Sequence, residues 1–238
     1  VEDARAFAAR RCDLSWYRRV ESYFDLLVAV ADMCSFRQTH AGGFHLAQSQ
    51  QVWDAYSSDW YAMDAAYPHM CTAYLRARSV ECDALEEPAR AVADWAENLY
   101  SNWFLADANA CWAAAAQGEW ADCGYIDGPA RQDEFYWHVL PTFVGSAKTT
   151  VIIVSDALRY EVARDVAALL ERERGGNVKV SSMQAVFPSI TEVGMPALLP
   201  HQALELAADG SFVLADGMPT ATTSQREAVL AHVEPTAR

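Results

Sequence analysis

Val151-Ile152-Ile153-Val154-Ser155-Asp156-Ala157-Leu158-Arg159-Tyr160-Glu161 decides how the chain is read: four β-branched residues in a row, then a carboxylate, then residues that open a helix. A continuous apolar run without alternation predicts a strand buried on both faces, as in a parallel sheet, and the preceding threonines extend it to Thr149–Val154. Asp156 then stands at the strand's carboxyl end, where open α/β sheets assemble their sites. Working outward, Ala157–Arg174 reads as a helix with Leu158, Val162, Val166, Leu169 and Leu170 facing inward, and Gly175-Gly176-Asn177 turns the chain into a second β-run, Val178–Val186. Strand, crossover helix and strand in that order predict a right-handed parallel unit. The second run leads into Phe187-Pro188-Ser189-Ile190-Thr191-Glu192, placing a hydroxyl beside the carboxylate. Helix Glu192–Leu199, strand Phe212–Leu214, turn Asp216-Gly217 and helix Ser224–Val233 continue the alternation. Residues 141–238 therefore read as the first part of a doubly wound, mostly parallel α/β sheet that stops before completion.

Ahead of this region the period is helical. Leu14, Tyr17, Val20, Phe24, Leu27, Val28, Ala31 and Cys34 recur at spacings of three and four, giving one buried helical face. After a Gly42-Gly43 break comes an aromatic stripe, Trp53, Tyr56, Trp60, Tyr67 and Tyr74, with Pro68 placed to end or kink its helix. A further helix covers Val92, Trp95, Leu99 and Trp103–Ala116 and is expected to stop at Gly118. Large side chains at helical spacing are core far more often than a ligand box, so the stripe is assigned no chemistry. Gly124, Gly128-Pro129 and Pro141 mark a boundary zone with one short helix near Arg131–Leu140. The expected organisation is an all-helical region, 1–140, followed by the α/β region, 141–238.

Composition limits the function. At 238 residues, with 52% apolar and 21% charged side chains, the chain can bury a core and disorder is disfavoured. It begins at Val1 with no basic start and apolar run, so it reads as an excised piece without a visible signal peptide. No stretch approaches the roughly 18 uninterrupted apolar residues that cross a bilayer, so no membrane partner is expected. The net charge is −14, with residues 1–140 carrying 10 basic and 21 acidic side chains. An acidic surface repels phosphate backbones, which argues against direct nucleic-acid binding by this stretch. All six cysteines lie in the front half with no C-x-x-C pair, consistent with reduced thiols in a cytoplasmic protein rather than a zinc site.

Two residues carry the candidate chemistry. Asp156 admits two readings: a ligand for a hard or borderline metal, or a cap on the following helix, which Ser155 or Asp156 would serve well. Thr191 sits in Ser189-Ile190-Thr191-Glu192, whose S-x-x-E spacing makes Ser189 a capping-box residue and places Thr191 in the first helical turn. Unpaired N–H groups there could hold a phosphoryl group in front of the hydroxyl, which needs a base or metal to become a useful nucleophile. Ser189 and Arg159 are the candidate phosphate contacts, the alternative for Arg159 being an ordinary surface charge. His201 ends the Thr191 helix and reads as a helix-end residue. There is no G-x-G-x-x-G, no G-x-x-x-x-G-K-[ST] and no G-x-S-x-G, which removes dinucleotide, mononucleotide and esterase readings.

At these residues the chain resembles the PglZ family, whose domain is similar to the alkaline phosphatase superfamily. The likeness is carried by Ser155-Asp156-Ala157-Leu158-Arg159-Tyr160-Glu161-Val162-Ala163 and by Phe187-Pro188-Ser189-Ile190-Thr191-Glu192-Val193-Gly194-Met195-Pro196-Ala197-Leu198-Leu199-Pro200-His201. Val213-Leu214-Ala215-Asp216-Gly217, with Arg226 and Leu230, extends it. The resemblance implies that Asp156 is the first metal ligand and that Thr191 is the nucleophile, itself coordinated to metal. It further implies two divalent ions, commonly zinc, per complete domain, and in-line displacement at phosphorus. It places the protein in bacterial BREX or Pgl phage resistance, alongside a DNA methyltransferase and ATPases. The superfamily's remaining Asp and His ligands lie downstream of the nucleophile. Only His201, Asp209, Asp216 and His232 follow here, none in a D-x-x-x-H or D-H context. The expectation is therefore a half-built metal site and an inactive piece of a metal-dependent phosphatase or phosphodiesterase. The rival is a non-catalytic interaction component of the defence complex, since a fold does not guarantee its chemistry. A nucleotide-binding regulator is a third reading that lacks a base-recognition motif.

Overall fold

The computed structural model describes residues 2–144, 150–174 and 177–235, which divide into two compact units. The first comprises the chain up to Gly118 together with Arg159–Val180, and the second Glu119–Leu158 together with the chain from Ser181.

The first unit is helical. Its elements are α1 (Glu2–Ala9), α2 (Tyr17–Thr39), α3 (Ser49–Ala55), α4 (Tyr61–Arg78), α5 (Asp83–Asn98), the start of α6 (Ala106–Cys123) and α7 (Tyr160–Arg174). Tyr23, Leu26, Val30, Met33 and Phe36 form the buried stripe of α2, and α4 answers with Met63, Ala66, Met70, Ala73 and Ala77. The fully buried residues of helix α5 are Ala89, Ala93 and Ala96, small side chains that let its backbone approach closely, flanked by the partly buried Leu85 and Val92. Phe36, Phe44, Trp60 and Phe104 fill the space between helices, with Phe44 edge-on to Trp60 at 4.6 Å and Phe36 perpendicular to Phe104 at 5.6 Å. Pro68 lies inside α4 without ending it, and α6 runs through Gly118, a position open to solvent, as far as Cys123. The alanine-rich sequence around Gly118 sustains the helix against a local cost of about 1 kcal/mol.

Two π-helical segments, Tyr56–Trp60 and Leu99–Leu105, interrupt this bundle. Each contributes one tyrosine to a buried polar cluster: the Tyr56 hydroxyl donates to Asp64 Oδ2 and the Tyr100 hydroxyl to Asp64 Oδ1, both at 2.6 Å. Burial pushes both phenols above the usual tyrosine range, and the bonds to Asp64 add to the shift. The start of α7 joins the cluster, with Arg159 Nε 2.6 Å from Glu161 Oε1 and Arg159 Nη2 3.7 Å from Asp64 Oδ1. Tyr160 donates to the Ser57 carbonyl at 2.8 Å and Arg164 to the Tyr61 hydroxyl at 3.2 Å.

The second unit contains a small antiparallel sheet: β1 (Leu204–Leu206), β2 (Val213–Ala215) and β3 (Met218–Pro219), in that order. Its register pairs Leu204 with Ala215 and Leu206 with Val213. Asp216 and Gly217 both take positive φ, 49° and 79°, as a two-residue hairpin turn between β2 and β3 requires. The Asp216 carboxylate accepts from the N–H groups of Gln202 and Ala203, so it is occupied in holding this turn. Helix α8 (Thr191–Ala197) packs on β2, and α9 (Thr223–Val233) opens with a reciprocal capping box between Thr222 and Gln225.

The doubly wound parallel sheet is not seen among the described residues. Val151–Val154 form no ladder and lie exposed, Ile153 at 86% and Val151 at 77% of full accessibility. The second β-run leaves one parallel bridge, Gln184 with Arg131. Thr149 and the Gly175-Gly176 turn fall outside the described residues. Helix α7 begins at Tyr160 rather than Ala157, and its apolar stripe, Val162, Val166, Leu169 and Leu170, is exposed while Glu161 is buried. Periodicity identified an apolar face but not its cover. A parallel strand needs partners supplied by distant chain, and a crossover helix buries its stripe only against such a sheet.

Candidate functional site

Asp156 and Thr191, 35 residues apart, meet in the second unit. The Thr191 hydroxyl donates to Asp156 Oδ2 at 2.9 Å, and the Ala157 N–H donates to Asp156 Oδ1 at 3.0 Å. Both side chains are exposed, facing a cavity of about 610 Å³ in the second unit. Its wall includes Gln132, Leu158, Ser189, Glu192 and Leu198.

Local structure explains how each residue arrives there. Asp156 lies four positions before α7 starts, which removes the cap reading and frees its carboxylate to face Thr191. Ala157, immediately after it, has φ +56°, a left-handed conformation that a residue with a Cβ adopts at a cost of about 1–2 kcal/mol. Thr191 is the first residue of α8, as the spacing predicts, but Ser189 is not its cap. Ile190 occupies that position in extended conformation without a side-chain cap bond, and Ser189 is exposed on the cavity wall. Arg159 lies in the helical unit against Asp64 and Glu161. His201 is buried, its Nδ1 2.7 Å from the Leu199 carbonyl and its own carbonyl accepting from Trp137 Nε1 at 2.9 Å, and it does not line the cavity.

Gln132 is the wall residue that motif reading does not single out. Its Oε1 accepts from the Val186 N–H and its Nε2 donates to the Gly194 carbonyl, both at 3.1 Å. A glutamine in a turn-rich boundary zone carries no sequence signal of such a role.

The donor set suits a hard or borderline cation in kind but not in number. Asp156 and Thr191 converge as two oxygen donors, whereas a catalytic zinc takes three protein ligands. Among the described residues no group of three or more His, Cys, Asp or Glu side chains is placed to hold a metal. The charged residues of the cavity wall are Asp156 and Glu192, so a phosphate ester would meet like charge there unless cations neutralise it. Among the described residues no helix is long and apolar enough to cross a membrane.

Comparison with known proteins follows the same lines. Residues 135–237 match the family model described as the BREX system PglZ alkaline phosphatase-like domain. The alkaline phosphatase-like protein BrxZ of Escherichia coli O9:H4 (strain HS) is 33% identical over 211 residues, covering 87% of this chain and 24% of that protein. The alkaline phosphatase-like protein PglZ of Bacillus cereus (strain H3081.97) is 30% identical over 227 residues, 94% of this chain and 25% of that protein. The chain thus spans about a quarter of the length of these curated relatives. No solved structure matches it.

Proposed function

We propose that this chain, which belongs to the PglZ family, carries the nucleophile and first metal ligand of a metal-dependent phosphatase or phosphodiesterase acting in BREX or Pgl phage defence. The observation that carries the reading is the 2.9 Å hydrogen bond from the Thr191 hydroxyl to Asp156 at the edge of a cavity. In the whole protein, Val151–Val154 becomes a central strand of a doubly wound sheet, and its exposed β-branched side chains are those that neighbouring strands and helices would cover.

Thr191 Oγ1 is the attacking atom. Asp156 Oδ2 accepts its hydrogen bond and orients the hydroxyl toward the cavity, so that a phosphorus centre held there is approached in line with the departing oxygen. Asp156 and Thr191 would hold divalent metal, commonly a zinc pair in this superfamily, whose chemistry when bound is to neutralise the acidic wall and stabilise attacking and leaving oxygens. The further ligands are supplied by chain outside the described residues. Ser189 lines the wall where a phosphoryl oxygen would rest. Arg159 stays a weaker phosphate candidate, since reaching an ester would cost it the contacts with Glu161 and Asp64. The DNA methyltransferase and ATPases of such systems are the proposed partners, and the cytoplasm the proposed location.

Metal content and hydrolysis by the full-length protein test this reading together. About two divalent ions per chain are expected, fewer in Asp156→Ala. Hydrolysis of p-nitrophenyl phosphate or bis-p-nitrophenyl phosphate should fall by roughly a thousandfold or more in Thr191→Ala. A metal-loaded protein with no Thr191-dependent turnover of either ester would instead be a non-catalytic component of the defence complex.

A further inference from the structure

We infer that Gln132 is a positioning residue for the Thr191 hydroxyl, an inference that rests on the reading of Thr191 as nucleophile. Helix α8 has only seven residues and no side-chain cap, so little within it fixes where its first residue points. Two backbone groups that flank Thr191 are instead tied to one side chain. Val186 N–H, five residues before it, donates to Gln132 Oε1, and Gly194 C=O, three residues after it, accepts from Gln132 Nε2. One planar amide therefore sets the spacing between the segment that delivers Thr191 and the helix that carries it.

The amide is itself held firmly. Gln132 N–H donates to the Gln184 carbonyl at 2.9 Å, and Gln184 N–H donates to the Ala130 carbonyl at 2.8 Å. The Gln184 side chain, 4% exposed, accepts from Ile126 N–H and donates to the carbonyls of Ile126 and Pro129. This gives a continuous polar chain from Ile126 through Gln184 and Gln132 to both sides of Thr191, the arrangement a rigidly supported reacting group requires. Gly194 is part of the design, because a Cβ there would stand 3.2 Å from Gln132 Nε2. The role needs an acceptor and a donor on one side chain of this length. Glutamate keeps the acceptor arm and loses the donor, and methionine fills the volume with neither.

The test uses the metal-loaded full-length protein with bis-p-nitrophenyl phosphate and p-nitrophenyl phosphate, comparing wild type, Gln132→Glu, Gln132→Met and Thr191→Ala. Misplacement of the nucleophile predicts kcat lower by roughly 10- to 100-fold in both Gln132 variants, with KM within about twofold, since ester binding is left intact. Amide hydrogen exchange supplies a second readout: Val186 N–H loses its acceptor in Gln132→Met, and the segment 186–195 should exchange faster while peptides of α2 and α4 do not change. Turnover that depends on Thr191 but is unaltered in both Gln132 variants would overturn the inference. So would equal losses in kcat/KM caused only by a raised KM. If wild type hydrolyses neither ester, the nucleophile reading falls by itself. Exchange then decides the fate of the bridge, and unchanged protection of 186–195 overturns it.

Discussion

The two units are held together by different physics. The helical unit buries an apolar core of its own, from Leu26 and Met33 of α2 to Phe104 beyond α5, and its buried acids are answered, Asp64 by two tyrosine hydroxyls and Glu161 by Arg159. The unit bearing Asp156 and Thr191 has a thinner core, including Ile126, Val186, Ala197, Val213, Ala215 and Val229. Its segments are joined by polar side chains bonded to backbone, through Gln132, Gln184, Asp216, Thr220 and Arg226. Helices satisfy their backbone locally and need only a neighbour's apolar face, whereas strands need partners for both backbone and side chains. Helices such as α2 and α4 therefore close a core against one another, while the stripe of α7 in the first unit and Val151–Val154 in the second stay uncovered.

The largest expected effect breaks the stronger side of this contrast. Phe104, 1% exposed, meets Phe36, Phe44 and Tyr100, so Phe104→Ala should cost about 3–5 kcal/mol through lost burial and a residual cavity. Urea unfolding followed by far-ultraviolet circular dichroism measures it. A loss below about 1 kcal/mol would mean that the helical unit lacks a close-packed core around Phe104.

That asymmetry also governs what the sequence reveals. The three- and four-residue spacing from Tyr17 to Cys34 specifies a helix, because helical period follows from local geometry, but it points to the wrong side. Leu14, Leu27 and Cys34 are exposed, and the stripe that packs is Tyr23, Leu26, Val30, Met33 and Phe36, which is set by the neighbouring helices. Asp156 and Thr191 were legible as a pair because a carboxylate after one apolar run and a hydroxyl after the next are placed by chain direction, and the two do meet. The sheet was not legible as it stands. The run at 151–154 states a preference for burial on both faces, and no pattern within it says whether neighbours lie in the same stretch of chain. Ser189 was misread for a related reason: the S-x-x-E spacing fits a capping box, but Ile190 takes the cap position once the preceding loop is tied to Gln132. Gln132, Gln184 and Ala157 gave no motif, since an amide clasp and a left-handed alanine are set by tertiary contacts.

A smaller effect probes the polar side of the comparison. Gln184→Leu removes the partners of Ile126 N–H and of the Ile126 and Pro129 carbonyls, and buried groups left unpaired cost about 1–3 kcal/mol each. Partial relaxation toward water should bring the total to about 2–3 kcal/mol, read as roughly 30- to 150-fold faster amide exchange in residues 126–134. Peptides of α2 and α4 should keep their protection. Equal acceleration in both units would show that they unfold as one cooperative body, and the contrast drawn between them would fail.

The smallest effect is the most discriminating for the site, because its sign and not its size carries the answer. Ala157 pays for a left-handed backbone next to Asp156, and replacing it by glycine removes that penalty of about 1–2 kcal/mol while adding flexibility to the unfolded chain worth about 0.5–1 kcal/mol. With Ala157 left-handed, Ala157→Gly is neutral to stabilising by up to about 1.5 kcal/mol, and Ala157→Val, whose branched Cβ fits this conformation poorly, is destabilising. If the loop instead ran extended from Val154 into the helix, no left-handed residue would be needed, glycine would cost about 0.5–1 kcal/mol, and valine would be tolerated. Unfolding midpoints of the two variants, measured side by side, therefore report whether the turn that aims Asp156 at Thr191 exists independently of any sheet built over Val151–Val154.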